Sequence, residues 1–268
     1  MDVVMLMAIG LLTGATTVLF GFGGGFVAVP VVVWADASMG PDALPVATAT
    51  SALVMVVNAA FATAVTPRSV LRSLRGTGAL LPLLAAGACA GAYATRLAPP
   101  ALTRWAFVAY TALTALDLLL RPGFLRTAPR PGGEATRAAR PLPATAGAPI
   151  GAVAAFLGVG GSVMTVPALR RAGHPMRVAT ALANPLTLAV ALPAVAVSLA
   201  AAPPASTVTG TALVGLVDPY AAGALLLGAL PVITVLRRRP PRIPDRVHAC
   251  AYLALLTAVA LAMALTAF

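Results

Sequence analysis

Two glycine-rich segments 137 residues apart carry the chemistry this chain could do. The first runs Gly21, Phe22, Gly23, Gly24, Gly25, Phe26, Val27, Ala28, Val29, Pro30. The second runs Gly158, Val159, Gly160, Gly161, Ser162, Val163, Met164, Thr165, Val166, Pro167. Five of the ten positions are identical, and Gly25 against Ser162 exchanges small for small. Glycines permit a turn and leave peptide N–H groups uncovered. A helix that starts at such a turn presents free N–H donors and the positive end of its dipole, which favours an anion. Ser162 would cap the second of these helices and add a hydroxyl donor. The competing explanation is that the glycines only let helices pack closely. The recurrence of the tip, each time with Val-Pro at the same distance, favours the site reading. Gly23, Gly24, Gly25, Gly160, Gly161 and Ser162 are its first candidates.

The segments that follow the tips add polar groups. Ala47, Thr48, Ala49, Thr50 and Ser51 precede Asn58 in one apolar stretch. Their counterparts are Ala179, Thr180, Ala181, Leu182, Ala183 and Asn184, then Pro185 and Thr187. Hydroxyls on membrane helices commonly bond back to their own helix, which is the plain account of Thr48 and Thr180. Amides at mid-span are costlier, so Asn58 and Asn184 are stronger binding candidates. Thr50, Ser51 and Thr180 join them, and Pro185 is expected to loosen the helix beside Asn184.

Those candidates need elements that hold them at membrane depth. Of the 268 residues, 60% are hydrophobic and 9% charged, and the mean hydropathy is +0.95. No soluble domain of this size needs so much apolar sequence. Apolar runs near 3–20, 24–35, 43–66, 77–95 and 104–120 are followed, after a polar break, by runs near 144–157, 162–170, 175–200, 210–236 and 247–267. The chain reads as an all-α polytopic protein of the cytoplasmic membrane, in contact with lipid. Residues 1–120 form a first membrane repeat, 121–143 an Arg-, Pro- and Gly-rich linker, and 144–268 a second repeat. The start, with Asp2 and no Arg, argues against a cleaved signal peptide. Cys89 and Cys250 read as small buried hydrophobes.

The net charge of +11 comes from 18 basic residues, all Arg. In a soluble protein this would point to nucleic acid. Here the Arg clusters lie between apolar runs, where they set orientation. If each tip and its flanks formed one straight span, the Arg residues would divide 8 against 10 between the two sides. If the chain reverses at each tip, 16 fall on one side and only Arg96 and Arg104 on the other. The second arrangement restores the positive-inside bias. It makes the halves two inverted repeats, each a broken-helix hairpin plus three transmembrane helices. The arms 144–157 and 162–170 are too short to cross at 1.5 Å per residue, so that hairpin is expected to be re-entrant.

Acidic groups are few. Asp117 precedes Arg121 by four residues, which gives a local ion pair. Asp218 starts a span and reads as interfacial, and His174 lies with Arg170, Arg171 and Arg177 in a loop expected to face the cytoplasm. The residues spell no metal-ligand cluster, no nucleotide-binding loop and no nucleophile–base–acid set, so neither an enzyme nor a cofactor is implied.

Taken together, the two tips ending in Val-Pro, the Ala-Thr-Ala-Thr-Ser run with Asn58, the 68–76 loop with Arg68, Arg72 and Arg75, and the Arg242-Ile243-Pro244-Asp245-Arg246 entry to the last helix resemble the TauE/SafE family of sulfite and organosulfonate exporters. The resemblance covers nearly the whole chain, the linker apart. It implies a permease for small, often sulfur-containing anions such as sulfite, sulfonates, thiosulfate or similar carboxylates. The second half departs from the family by carrying Leu182-Ala183-Asn184 where a Thr-Ser pair is typical, and Ser162 for the last glycine. A channel-like anion pathway is the near rival to a secondary transporter. These residues specify neither a coupling ion, H+ or Na+, nor an oligomeric state.

The Arg distribution has a direct test. With Cys89 and Cys250 replaced by Ser, Ser38→Cys should label with an impermeant thiol reagent from outside intact cells, and Thr136→Cys in the linker only after lysis. Equal labelling of both from outside would overturn the reversed-chain topology.

Overall fold

The computed structural model describes residues 3–35, 43–74, 77–121, 124–125, 142–201 and 213–265. The described residues are helical, with one isolated bridge between Val214 and Val217 and no strand. The first half contains α1 (Val3–Phe20), α2 (Gly25–Ala35), α3 (Ala43–Ala64), the short α4 (Arg68–Leu71), α5 (Leu80–Leu97) and α6 (Pro100–Leu120). The second contains α7 (Gly147–Leu157), α8 (Ser162–Arg171), α9 (Met176–Leu199), α10 (Pro219–Arg238) and α11 (Asp245–Leu265). Six of these, α1, α3, α5, α9, α10 and α11, are long and apolar enough to cross a membrane. With 11 and 10 residues, α7 and α8 extend only about 15–17 Å each at 1.5 Å per residue.

The helix limits follow local chemistry. The span expected from 210 starts instead at Pro219. Asp218 caps it, accepting the N–H groups of Tyr220 and Ala221 at 2.9 and 3.0 Å, and Pro219 occupies the first helical turn. Proline there has no N–H to lose and a φ already set for helix. Asp218 stands at the start of α10 and is also buried, at 6% exposure. Its own N–H donates to the Thr50 hydroxyl at 2.9 Å, which ties α10 to α3. The helix α9 continues through Pro185 and Pro193 without a break.

The two halves pack by exchanging partners. The first arm α1 lies along α10, and its counterpart α7 lies along α5. In both pairs small residues let the backbones touch. A methyl group on Gly10 would stand 2.3 Å from the Leu225 carbonyl oxygen, and one on Gly91 2.0 Å from that of Ala152. Such contact maximises dispersion where no hydrophobic force draws helices together. Further pairings are α3 with α9, α6 with α11, α3 with α10 and α5 with α9.

At one end of the bundle a charged knot joins four elements. Arg170, in the last turn of α8, has a side chain only 2% exposed and pairs with Asp245 at the start of α11. Its Nε donates to the Phe124 carbonyl at 3.1 Å, and the Met176 N–H that opens α9 donates to Asp245 at 2.8 Å. Arg170 thus lies inside the protein rather than in a solvated loop. Asp117 does pair with Arg121, at 2.8 Å, and with Arg171 as well. Cys89 and Cys250 are free and exposed, not buried.

Breaking a buried pair from one side leaves an uncompensated charge. Arg170→Gln should therefore cost about 3 kcal/mol, read as a lower thermal midpoint in detergent. The double variant Arg170→Gln, Asp245→Asn should recover part of that loss, whereas additive losses would show that the pair does not couple the helices.

Candidate functional site

The tips come together at the middle of the bundle. Gly21 and Gly158 share a left-handed backbone, with φ of 74° and 68°, and so do Gly23 and Gly160, at 63° and 67°. Each tip leans on the other half. A methyl group on Gly21 would meet the Thr180 carbonyl oxygen at 2.6 Å, and one on Gly158 the Thr48 Cγ2 at 2.6 Å. On Gly23 it would stand 3.0 Å from Thr187 Cγ2 and 3.3 Å from Met55 Cγ. On Gly160 it would stand 3.0 Å from both Thr187 Cγ2 and Met55 Sδ, and 3.8 Å from the Phe22 carbonyl oxygen. Met55 and Thr187 lie near the midpoints of α3 and α9, so they mark the half-depth of the bundle.

The second arms start here. Met164 and Thr165 are the first residues of α8 whose N–H groups find a carbonyl among the described residues, both on Gly161. In α2 the first is Ala28, on Gly24. The leading N–H groups of α2 and α8 are thus the unsatisfied donors that every helix start carries. Two features qualify the expectation. Met55 packs over Gly25, at 2.4 Å from Sδ to a methyl group placed there. Ser162 is the first residue of α8 and makes no capping bond; the cap position is Gly161.

Several unpartnered polar atoms lie around the tips. Both amide atoms of Asn58, the Ser162 hydroxyl, the Thr165 hydroxyl and Asn184 Oδ1 are buried without a hydrogen-bond partner among the described residues. Asn58 faces the first tip, with Nδ2 2.8 Å from a methyl group placed on Gly24. Asn184 spends one donor on the Thr180 carbonyl at 3.3 Å. Thr187 donates to the Gly21 carbonyl at 3.5 Å. Buried polar groups are normally paired, so such a cluster calls for an occupant or for function. Other candidates are already committed. Ser51 donates to the Thr48 carbonyl at 3.0 Å and Thr180 to that of Arg177 at 3.2 Å, as the back-bonding account expects, while Thr50 holds Asp218. The Thr48 hydroxyl departs from that account, being buried with no partner.

Cavities approach this centre from both ends. One of about 440 Å³ opens between the α5–α6 and α9–α10 junctions and reaches Thr48, Met55, Gly158 and Gly160. The other, of about 390 Å³, opens beside Pro67 and Pro240 and reaches Thr180 and Ala181. The layer between them holds Asn58, Asn184 and Thr187.

Sequence reasoning passed over Tyr252 and His248. The Tyr252 hydroxyl lies 3.3 Å from the carbonyl oxygens of both Ser162 and Val163, and its ring packs on Phe20, Phe22 and Phe124. His248 contacts the Leu19 carbonyl just before the first tip. The signal was present as the i, i+4 spacing of His248 and Tyr252 on the inward stripe of α11, which continues through Leu256, Val259 and Met263.

The tips differ at one matched position. Gly24 has φ of +90°, whereas Gly161 has φ of −73°, and a methyl group there would meet nothing nearer than Val190 Cγ2 at 3.3 Å. Gly24→Ala should thus destabilise by at least about 1–2 kcal/mol from the left-handed backbone alone, and Gly161→Ala by much less. Equal thermal midpoints for the two variants would refute this asymmetry.

Residues 6–263 match the family described as Sulfite exporter TauE/SafE. No curated protein and no solved structure compared with the chain matches it. Membrane-length helices, two glycine-rich breaks meeting at the middle of the bundle, and a family match over nearly the full length agree, and the chain belongs to the TauE/SafE sulfite exporter family.

Proposed function

We propose that this protein is a secondary transporter that moves a small anion, sulfur-containing and of the sulfite or sulfonate class, across the cytoplasmic membrane. The observation that carries this reading is the cluster of buried polar groups without partners among the described residues at the meeting point of the two tips, with donors on Asn58 Nδ2 and the Ser162 and Thr165 hydroxyls, between cavities that open at opposite ends. The leading N–H groups of α2 and α8 supply fixed positive potential. Asn58 and the Ser162 hydroxyl supply orientable donors, and Gly23, Gly24, Gly25, Gly160 and Gly161 keep side chains out of the anion's place. Asn184 and Thr187 line its edge. Thr50, Ser51 and Thr180 support it indirectly, through the helices they fasten.

An inverted repeat is part of the proposal. The exchanged pairings support it, because α1 lies on α10 as α7 lies on α5, and α11 meets α2 as α6 meets α8. The Arg distribution puts the Arg170 end in the cytoplasm and the Arg96 end outside. Alternation between the two cavities would then move one half against the other around a fixed site.

Proteoliposomes test the function. Saturable counterflow of labelled sulfite supports a transporter, whereas unsaturable flux without counterflow would indicate a channel. A neutral hydrogen bond is worth about 0.5–1.5 kcal/mol, so Ser162→Ala should weaken sulfite binding by about tenfold or less. Asn58→Ala should lower affinity with near-normal expression. Unchanged affinity in both variants would move the anion away from the tips.

A further inference from the structure

The cavity beside Pro67 and Pro240 holds an arrangement that the tips do not use. Arg177, in the first turn of α9, and Arg237, in the last turn of α10, line it together. Two guanidinium nitrogens of Arg237, Nε and Nη2, are shielded from water and have no hydrogen-bond partner among the described residues. A charged donor left unsatisfied in a protected place is costly. None of the described carboxylates lines this cavity. Asp117 pairs with Arg121 and Arg171, Asp245 pairs with Arg170, and Asp218 caps α10. Two positive charges therefore share one cavity whose described lining includes no acid.

We propose that this cavity is a second anion site, which receives a small oxyanion on the Nε and Nη2 donors of Arg237 with Arg177 as the second cation. A guanidinium offers two parallel N–H donors that match two oxygens of a sulfate-like or phosphate-like group. The cavity's volume of about 390 Å³ admits such a group with several waters. Its inner wall reaches Thr180, whose carbonyl oxygen would lie 2.6 Å from a methyl group on Gly21 at the base of the first tip. The site thus stands one step from the centre of the bundle. That its occupant is the transported anion rests on the transporter reading; that it binds an oxyanion does not.

The test uses the full-length protein with Cys89→Ser, Cys250→Ser and a reporter, Val65→Cys, at an exposed position lining this cavity. An anionic methanethiosulfonate should modify the reporter at least about tenfold faster than a cationic one, as expected where a cleft focuses one sign of charge. Inorganic sulfate should slow the modification saturably. Arg237→Gln should abolish the charge preference and raise the half-protecting sulfate concentration by about tenfold or more, since hydrogen bonds to charged groups contribute about 1.5–3 kcal/mol. Arg237→Lys should fall between, having lost the paired donors. Arg177→Gln, at an exposed residue, gives a second variant should Arg237→Gln not fold. Added Gly161→Val should leave sulfate protection intact, which separates this site from the one at the tips. Equal sulfate protection in parent and Arg237→Gln would overturn the proposal. So would protection by phosphatidylglycerol in the absence of any effect of sulfate, which would assign the cavity to a lipid headgroup.

Discussion

Irregular backbone at the middle of an apolar bundle is the constraint on which the other features depend. Peptide groups that leave a helix at membrane depth must face protein or a watery cavity, because hydrocarbon cannot satisfy them. The two tips meet that demand by facing each other. The long helices α3 and α9 flank them, with Met55 and Thr187 in the space between. Phe20, Phe22, Phe124 and Tyr252 form one wall, and the Tyr252 hydroxyl also serves the carbonyls at the start of α8. What remains unsatisfied among the described residues is a short set of polar groups at the centre, with donors on Asn58, Ser162 and Thr165 and acceptor oxygens on Asn58 and Asn184.

Two kinds of fastening hold this arrangement. Along the lengths of the helices it is contact between backbones, at Gly10 and Gly228 for α1 and α10, and at Gly91 and Gly151 for α5 and α7. At the Arg170 end it is charge, where Arg170 and Asp245 link α8, α9 and α11. Backbone contact resists separation of a packed pair and requires small residues to stand opposite one another. The buried ion pair costs desolvation and sets register. The element α8 is therefore gripped at its outer end by Arg170, while the leading N–H groups of both α2 and α8 stay outside regular helical hydrogen bonding at their inner ends.

Several features were legible in the residues. The Gly-rich tips broke the helices where the repeat placed them, and α1, α3, α9 and α11 begin or end within a few residues of their apolar runs. Asp117 met Arg121, and the Thr180 hydroxyl bonded back to its own helix. Other readings failed for a shared reason. Cys89 and Cys250 lie in apolar runs yet are exposed, because in a membrane protein the outward face is as apolar as the core and hydropathy no longer reports burial. Arg170 was expected in a loop facing the cytoplasm but is buried, since a charge at a helix end can turn inward once a neighbouring helix brings it a partner. Ser162 could not cap α8, because the helix begins at Ser162 itself and leaves the cap position to Gly161.

By itself the sequence determined the class of protein, the order of its helices, and the two places where helices break, because length, hydropathy and glycine act locally along the chain. Family membership was legible for the same reason, being carried by short motifs in fixed order. Only the tertiary structure decided which half each tip touches, that Met55 and Thr187 stand between the tips, and that Arg237 shares a cavity with Arg177. Those facts depend on pairing helices distant in sequence. In an apolar environment that pairing is selected by the shapes of opposing backbones and by a few buried charges, neither of which leaves a periodic mark in the residues.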